Sequence, residues 1–210
     1  MSQEKLSSLG GVVGSVSRET FERLLTFEAE FKRWSARINL AAPSTLPHLW
    51  DRHILDSARL APLAPLASHW LDLGSGGGFP GAIVAILAAE RPHAHVDLVE
   101  SNRKKASFLQ TTLTALEVPA TVHSRRIEDC YGRISVPEVV TARALAPLPR
   151  LLALAEPWLR QGARALFHKG RDYRREVEES RDAWRFDLLE HRGTAEGGGV
   201  ILEISDPRRI

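Results

Sequence analysis

The stretch that decides the fold is Trp70-Leu71-Asp72-Leu73-Gly74-Ser75-Gly76-Gly77-Gly78-Phe79-Pro80-Gly81. Its apolar start predicts a buried strand, and the glycines that follow allow a tight turn and close approach of the backbone to a ligand. Pro80 suits the first turn of a helix. Residues 82–90 are apolar nearly all round, as in a helix packed on a central sheet, and its N-terminal amides would face the ligand. The stretch predicts a binding turn of the nucleotide type.

The glycines can be read in two registers. Gly76, Gly78 and Gly81 match the G-x-G-x-x-G pattern of dinucleotide folds, with Glu100 about twenty residues later. Alternatively, Asp72-x-Gly74-x-Gly76-x-Gly78, with Glu100 at the end of the next strand, resembles motif I of Rossmann-like S-adenosylmethionine-dependent methyltransferases. In either register Glu100 can accept hydrogen bonds from a ribose diol, and Asp72 is a second acid suited to such hydroxyls.

Length and composition indicate one compact globular domain of 210 residues, with 43% hydrophobic and 26% charged residues. Within it we expect a flexible N-terminus over residues 1–16, a helical cap over 17–66 and a ligand-binding core over 67–210. The one cysteine, Cys130, excludes an internal disulfide. No apolar run is long enough to span a membrane and residues 1–16 do not resemble a signal peptide, so we expect a soluble, cytoplasmic protein.

Strand and helix patterns alternate five times along the chain, which predicts an α/β fold with a doubly wound parallel sheet and helices on both faces. After the turn come strand 95–100, helix 102–117, strand 120–123, strand 137–142, helix 148–159, strand 162–168 and helix 172–184. Two final strands, 186–190 and 200–204, form a hairpin whose loop contains Gly197, Gly198 and Gly199. Five alternating strands closed by a hairpin give the seven-stranded pattern of these methyltransferases.

Two helices are predicted before the first strand, over residues 17–38 and 44–60. Ser17 is a plausible N-cap of the first helix. Both helices carry aromatic side chains at helical spacing, and we interpret this stripe as core rather than as a base-stacking platform. The two helices would form a cap packed on the sheet.

Basic residues follow four successive strands, and parallel strands present their carboxyl ends at one edge of a sheet. These residues are Arg103, Lys104, Lys105, Arg125, Arg126, Arg143, Lys169 and Arg171. A shared basic edge beside a cofactor site favours an anionic substrate, although charge runs are often merely solvated. Binding of a polyanion there would weaken steeply with salt. Arg208 and Arg209 are interpreted as a solubilising tail.

The sequence offers no evident general base, and no histidines or cysteines with the spacing of metal ligands, so no metal is predicted. Methyl transfer to a nitrogen with a free lone pair needs no proton removed beforehand. Guanine N7 is such an acceptor, but it is reachable only in an unstacked or looped RNA target. Cytosine C5 methylation wants a nucleophilic cysteine, and Cys130 lies in no recognisable catalytic motif.

Five segments together resemble one known family. They are Arg52-His53-Ile54-Leu55-Asp56-Ser57, the glycine loop from Gly74 to Gly81, Glu100-Ser101 with Lys104-Lys105 and Phe108-Leu109, Arg143-Ala144-Leu145-Ala146, and Lys169-Gly170. In this order and spacing they resemble the bacterial small-subunit ribosomal RNA guanine-N7 methyltransferases, the glucose-inhibited division protein B family. The resemblance implies S-adenosylmethionine as methyl donor and a guanine of 16S rRNA, free or in the small subunit, as target.

The resemblance also implies site residues. Gly74 and Phe79 would contact the cofactor from the loop, and Ile127 and Glu128 would flank its adenine. The glycine register adds Gly76 and Gly78 as cofactor contacts, and Glu100 would accept from the ribose, as its position after the strand also predicts. Arg143 would stand beside cofactor and target base as the catalytic residue. From the basic residues that follow the strands, we predict that Lys104, Lys105, Arg126 and Lys169 bind RNA.

Several alternatives stay open at this point. Arg143 could instead form a structural ion pair with Asp72 or Glu100, and His53 and Asp56 are interpreted as a structural polar contact between cap and sheet. The whole chain could be an NAD-dependent oxidoreductase using the Gly76, Gly78 and Gly81 register, or a non-catalytic RNA-binding module. We expect a monomer with no membrane partner.

Overall fold

The computed structural model describes residues 2–193 and 199–210 and is built around a seven-stranded sheet. Its strands are β1 (His69–Leu73), β2 (His95–Val99), β3 (Ala120–His123), β4 (Val139–Arg143), β5 (Arg164–Lys169), β6 (Trp184–Arg192) and β7 (Val200–Arg209). Their order is β3-β2-β1-β4-β5-β7-β6, in which β1 to β5 are parallel and β7 runs antiparallel to both neighbours. The predicted parallel sheet with a closing hairpin is confirmed.

Helices cover both faces of the sheet. They are α1 (Ser2–Val13), α2 (Arg18–Ser35), α3 (Asp56–Ala58), α4 (Gly81–Leu87), α5 (Arg103–Ala115), α6 (Leu148–Leu159) and α7 (Tyr173–Arg181). Buried side chains of α2, α4 and α5 share one hydrophobic cluster with the sheet, and those of α6 and α7 share another on the opposite face. This is the doubly wound arrangement, and its strand order reverses between β1 and β4. A crevice at the carboxyl ends of those two strands is the expected ligand site.

Residues Ser2–Val13 form helix α1, within the segment 1–16 for which the sequence analysis predicted flexibility. Helix α1 buries Leu9 completely against the cap. Lys5 forms an ion pair with the largely buried Glu28 of α2, and the Trp50 indole N–H donates to the Ser8 hydroxyl at 3.3 Å. Long-range contacts, which the local sequence pattern does not encode, therefore hold this helix.

The cap is less regular than the predicted helix over residues 44–60. A 3₁₀ helix (Pro43–His48) leads into a π-helical segment (Trp50–Leu55), which continues into α3 and a second 3₁₀ turn (Ala61–Leu63). Pro47 has no N–H to donate, which disfavours a continuous α-helix through this point. Trp50 and Ile54 are nonetheless buried, so the segment docks an apolar side on the core.

The aromatic stripe of the cap is core, as the sequence predicted. Phe27 and Phe31 of α2 pack on Phe79 of the glycine loop and on Phe108 of α5, with ring centroids 5.2 to 6.0 Å apart. Offset and edge-to-face pairs at such distances add to the burial energy. The cap is thus fixed directly to the glycine loop.

The C-terminus differs from the predicted solubilising tail. Arg208 and Arg209 both belong to β7, and the Arg209 guanidinium lies over the Trp184 ring and pairs with Glu156 at 2.8 Å. Of the three glycines predicted in the hairpin loop, Gly197 and Gly198 lie outside the described residues. Among the described helices, none has the length and apolar character that crossing a bilayer requires.

Candidate functional site

A cleft of about 600 Å³ opens at the carboxyl ends of β1, β2 and β4, where the strand order predicts a ligand site. Its walls come from the cap, from the glycine loop and from the loops after β2, β3 and β4. They include Leu40, Thr45, His53, Gly74, Gly76, Gly77, Phe79, Glu100, Lys105, Arg126, Ile127, Glu128, Arg143 and Leu145. The cleft therefore gathers side chains from five separate parts of the sequence.

At Gly74, Gly77 and Gly78 the loop lies so close to its neighbours that a side chain would not fit without a shift. Gly74 has a φ of +67°, and a Cβ there would lie 2.5 Å from Leu145 Cδ1. A Cβ on Gly77 would lie 2.6 Å from Phe31 Cε2. Gly78 was predicted to contact the cofactor, but it does not line the cleft. A Cβ there would meet Phe27, Ala82 and Leu109, so Gly78 serves packing beneath the loop.

Asp72 is structural, contrary to its predicted role as an acid for ligand hydroxyls. The side chain is 1% exposed and lies outside the cleft wall. Its carboxylate accepts from the Thr141 hydroxyl at 2.7 Å and from the Gly81 N–H at 3.2 Å. Burial raises the pKa of Asp72 to about 6. Asp72 thus ties β1 to β4 and to the start of α4, and the Gly81 amide faces this carboxylate rather than the cleft.

Pro80 precedes α4 instead of lying in its first turn. The Phe79–Pro80 peptide is cis, and Pro80 occupies the N-cap position before Gly81. Phe79 lines the cleft, and the centre of its ring lies 5.0 Å from that of the His53 ring.

Glu100 lies in the cleft wall at the end of β2. One carboxylate oxygen accepts from the Gly76 N–H at 2.7 Å and the other from the Asn102 N–H at 2.6 Å. Each oxygen can accept a further hydrogen bond. Glu100 therefore fixes the glycine loop and keeps acceptor capacity for a ligand hydroxyl.

Arg143, at the end of β4, reaches across to the cap. Its guanidinium donates to the Arg52 carbonyl and to the Asp56 carboxylate, both at 3.2 Å, and to Nδ1 of His53. Neither Asp72 nor Glu100 is its partner, so the predicted alternative pairings are wrong. The contact of His53 and Asp56 with the sheet is confirmed. Arg143 of β4 contacts both residues, and His168 of β5 lies 3.0 Å from the Asp56 carbonyl oxygen.

His53 is held as a neutral imidazole at the same point. Burial and the neighbouring Arg143 lower the pKa of His53 to about 4. Because Nδ1 accepts from Arg143, the ring proton must be on Nε2. Within the described part of the chain, this buried Nε2 has no hydrogen-bond partner. Sequence reasoning missed His53 as a cleft residue, although the Arg-His pair in the cap had marked the segment.

A family model described as GidB, rRNA small subunit methyltransferase G, matches residues 20–201. The chain belongs to this family. A ribosomal RNA small subunit methyltransferase G from Chelativorans sp. (strain BNC1) is 69% identical over 210 residues, covering all of both chains.

Solved structures share the fold of this GidB-family chain. Cofactor-bound Rv0187 from MTB superimposes with a TM-score of 0.59 at 15% identity, over 93% of this chain and 92% of that one. A SAM-dependent O-methyltransferase from Thermotoga maritima gives a TM-score of 0.54 at 15% identity, over 88% and 72% of the two chains. These likenesses show a Rossmann-like methyltransferase fold. The family match over residues 20–201 argues against the dinucleotide oxidoreductase alternative.

The residues that the GidB resemblance placed after β3 lie together in the cleft. Ile127 is 8% exposed and lines the wall, so its side chain is apolar cover next to the opening. Glu128 is exposed beside it and pairs with Arg150 at 3.0 Å. Arg150, which also lines the cleft, was not predicted, because it lies on α6, far from Glu128 in sequence.

The predicted RNA-binding residues divide into three groups. Lys105 and Arg126 line the cleft at its β2 and β3 side, and Lys104 is exposed on α5 but outside the wall. Lys169 differs from its prediction as an RNA contact. Its side chain is only 7% exposed, pairs with Glu176 and donates to the Ala146 carbonyl at 3.0 Å. Its charge is used inside the fold, so Lys169 is not available to RNA.

Proposed function

We propose that this chain transfers a methyl group from S-adenosylmethionine to N7 of a guanine in 16S rRNA. The observation that carries the proposal is the family match over residues 20–201, which includes both the glycine loop and Arg143. The loop, Glu100 and Arg143 converge on one cleft at the strand-order reversal, where this fold class binds its ligands.

The residues of the cleft fit this cofactor. Gly74, Gly76 and Gly77 present loop backbone to the cleft with no side chain of their own. In our proposal Gly74, Gly76 and Phe79 hold the cofactor from the loop, and Glu100 accepts from its ribose hydroxyls. Ile127 and Glu128 flank the adenine. Gly78 acts indirectly, by allowing the loop to pack on α2 and α5.

This reaction depends on positioning the methyl donor and the acceptor base more than on acid–base catalysis. The bound cofactor supplies an electrophilic methyl group on a positively charged sulfur. Guanine N7 has a free lone pair, so it would accept this methyl group without a base to remove a proton first. No proton leaves N7, which agrees with the neutral, proton-bearing His53 and with Glu100 being engaged by backbone amides. Alignment and proximity supply the acceleration.

Arg143 is proposed to stand beside cofactor and target base while holding the cap. Its side chain is 17% exposed, and its guanidinium carbon lies 5.8 Å from the centre of the Phe79 ring. The cap contacts fix this group in the cleft wall before any ligand arrives. Lys104, Lys105 and Arg126 are proposed to attract RNA to the β2 and β3 side.

The activity is tested with methyl-labelled S-adenosylmethionine and unmethylated small-subunit rRNA, offered free and in particles, followed by strand scission at N7-methylguanine. We expect one labelled, scission-sensitive guanine. Donor binding with no label on either substrate would contradict the proposed acceptor, and RNA binding without donor binding would indicate a non-catalytic module.

Arg143 is tested with Arg143→Ala against Asp56→Asn. The first variant removes the guanidinium, and the second weakens its hold on the cap while leaving it present. We expect Arg143→Ala to lose far more of kcat than Asp56→Asn at similar thermal stability. Equal losses would assign Arg143 a purely structural role.

Three further points stay predictions. They are that the protein acts in the cytoplasm, that it is a monomer, and that its substrate is free 16S rRNA or the small subunit.

A further inference from the structure

A second, larger groove of about 1190 Å³ lies on the far side of Arg143 from the glycine loop. It runs between the cap and the ends of β5 and β6. Thr45, His53 and Arg143 line both the groove and the cofactor cleft, so the two spaces meet at these residues. A substrate lying in the groove would reach the cleft at this junction.

The groove is basic. Its charged lining residues are Asp51, Arg52, Asp56, Arg59, Arg143, Arg171 and Arg192. Among the lining residues that the structure describes, five arginines thus face two aspartates, one of which, Asp51, is exposed.

Most of these arginines are already engaged by protein groups. Arg59 donates to Asp56 at 3.1 Å and to two backbone carbonyls, Arg143 is fixed to the cap, and Arg192 pairs with Glu190. Arg52 and Arg171 are exposed, and neither guanidinium has a hydrogen-bond or ion-pair partner within residues 2–193 and 199–210. Two exposed guanidinium groups therefore line the groove, and neither pairs with an acidic side chain of the described residues.

We propose that this groove binds the single-stranded RNA flanking the target guanine, with Arg52 and Arg171 contacting its phosphates. The inference rests on the proposed function, since it deepens the substrate site of that reaction. Glu100 and Ile127 line the β2 and β3 side of the cleft, which leaves the acceptor base to enter from the β4 side, where the groove meets the cleft. An extruded base needs a flexible strand on either side, and such strands are bound mainly through phosphate contacts.

The test is an Arg52→Ala/Arg171→Ala double variant, compared with Arg18→Ala/Arg175→Ala. The control removes two exposed arginines that pair with their own helix neighbours, Glu22 and Glu179. Because each double variant loses two arginines, the two proteins have the same net charge. Binding of unmodified 16S rRNA is measured without methyl donor over a salt series, together with thermal unfolding, donor affinity and the KM and kcat for RNA.

We expect the groove variant to lose about 1.4 from the slope of log affinity against log salt, because each single-strand phosphate contact contributes about 0.7. We expect its KM for RNA to rise about tenfold while kcat and donor affinity change less than about twofold. An unchanged slope and KM, relative to the control, would overturn the groove assignment. Salt-dependent binding that requires Arg52 and Arg171, but with no methyl transfer by the wild-type chain, would support the groove and contradict the proposed function.

Discussion

Asp72→Asn tests whether the buried carboxylate of Asp72, beneath the glycine loop, lowers the free energy of unfolding when it is ionised. Asparagine matches the shape of aspartate and can keep both hydrogen bonds, since its oxygen accepts from the Gly81 N–H and its amide donates to the Thr141 hydroxyl. The substitution therefore removes the titration and the charge while preserving the contacts that join β1, β4 and α4.

The magnitude follows from the pKa of Asp72, which rises from an ordinary 3.8 to about 6 on burial. The folded chain holds the proton more tightly than the unfolded chain, so stability from this group is present at low pH and is lost as pH rises through about 6. The full loss above both pKa values is about 3 kcal/mol, because one pKa unit corresponds to about 1.4 kcal/mol. About 2 kcal/mol of it is lost between about pH 4.5 and about pH 7.5.

The assay is urea unfolding of the wild type and Asp72→Asn across that pH range, with the exposed Asp187→Asn as control. We expect the free energy of unfolding of the wild type, minus that of Asp72→Asn, to fall by about 2 kcal/mol as the pH rises. The corresponding difference for Asp187→Asn should stay nearly constant. A pH-independent difference for Asp72, or one that grows with pH, would refute the raised pKa.

Three further substitutions have expected outcomes. Lys169→Met removes the partner of Glu176, so the free energy of unfolding should fall by about 3 kcal/mol in urea; lost RNA affinity at unchanged stability would restore Lys169 as an RNA contact. Gly74→Ala forces a side chain into a positive φ and against Leu145, so it should cost about 1–2 kcal/mol of stability and weaken donor binding by calorimetry. Glu100→Gln removes the charge that holds the Gly76 amide, and donor affinity should fall about tenfold, whereas an unchanged affinity would remove Glu100 from the cofactor site.

The sequence carried enough local information to predict the sheet and its binding edge. Alternating strand and helix periods, the glycine loop and the acid at the end of β2 are local patterns, and all appear at the predicted positions to within a few residues. The irregular cap and helix α1 were beyond such reasoning. Their conformation depends on contacts such as Ser8 with Trp50, which join residues far apart in the chain.

The candidate site also contains residues that local sequence predicts and residues that depend on long-range contacts. The cleft residues after β1, β2 and β3 could be named because they directly follow their strands. The partner of Arg143 could not, because Asp56 lies 87 positions earlier and reaches it only through the docking of the cap. Lys169 shows the opposite error, since its position at a strand end suggested a free cation while Glu176 on α7 neutralises it.

The packing of Phe27 and Phe31 under the glycine loop has a consequence for the kinetics of ligand capture. The amides of Ser75, Gly76 and Gly78 are already hydrogen-bonded to Val99, Glu100 and Ser75 respectively, so the loop is preorganised. Little conformational entropy is then lost when a ligand arrives. These amides should exchange slowly with solvent deuterium even in the free protein, and the association rate should be limited by diffusion into the cleft rather than by loop closure.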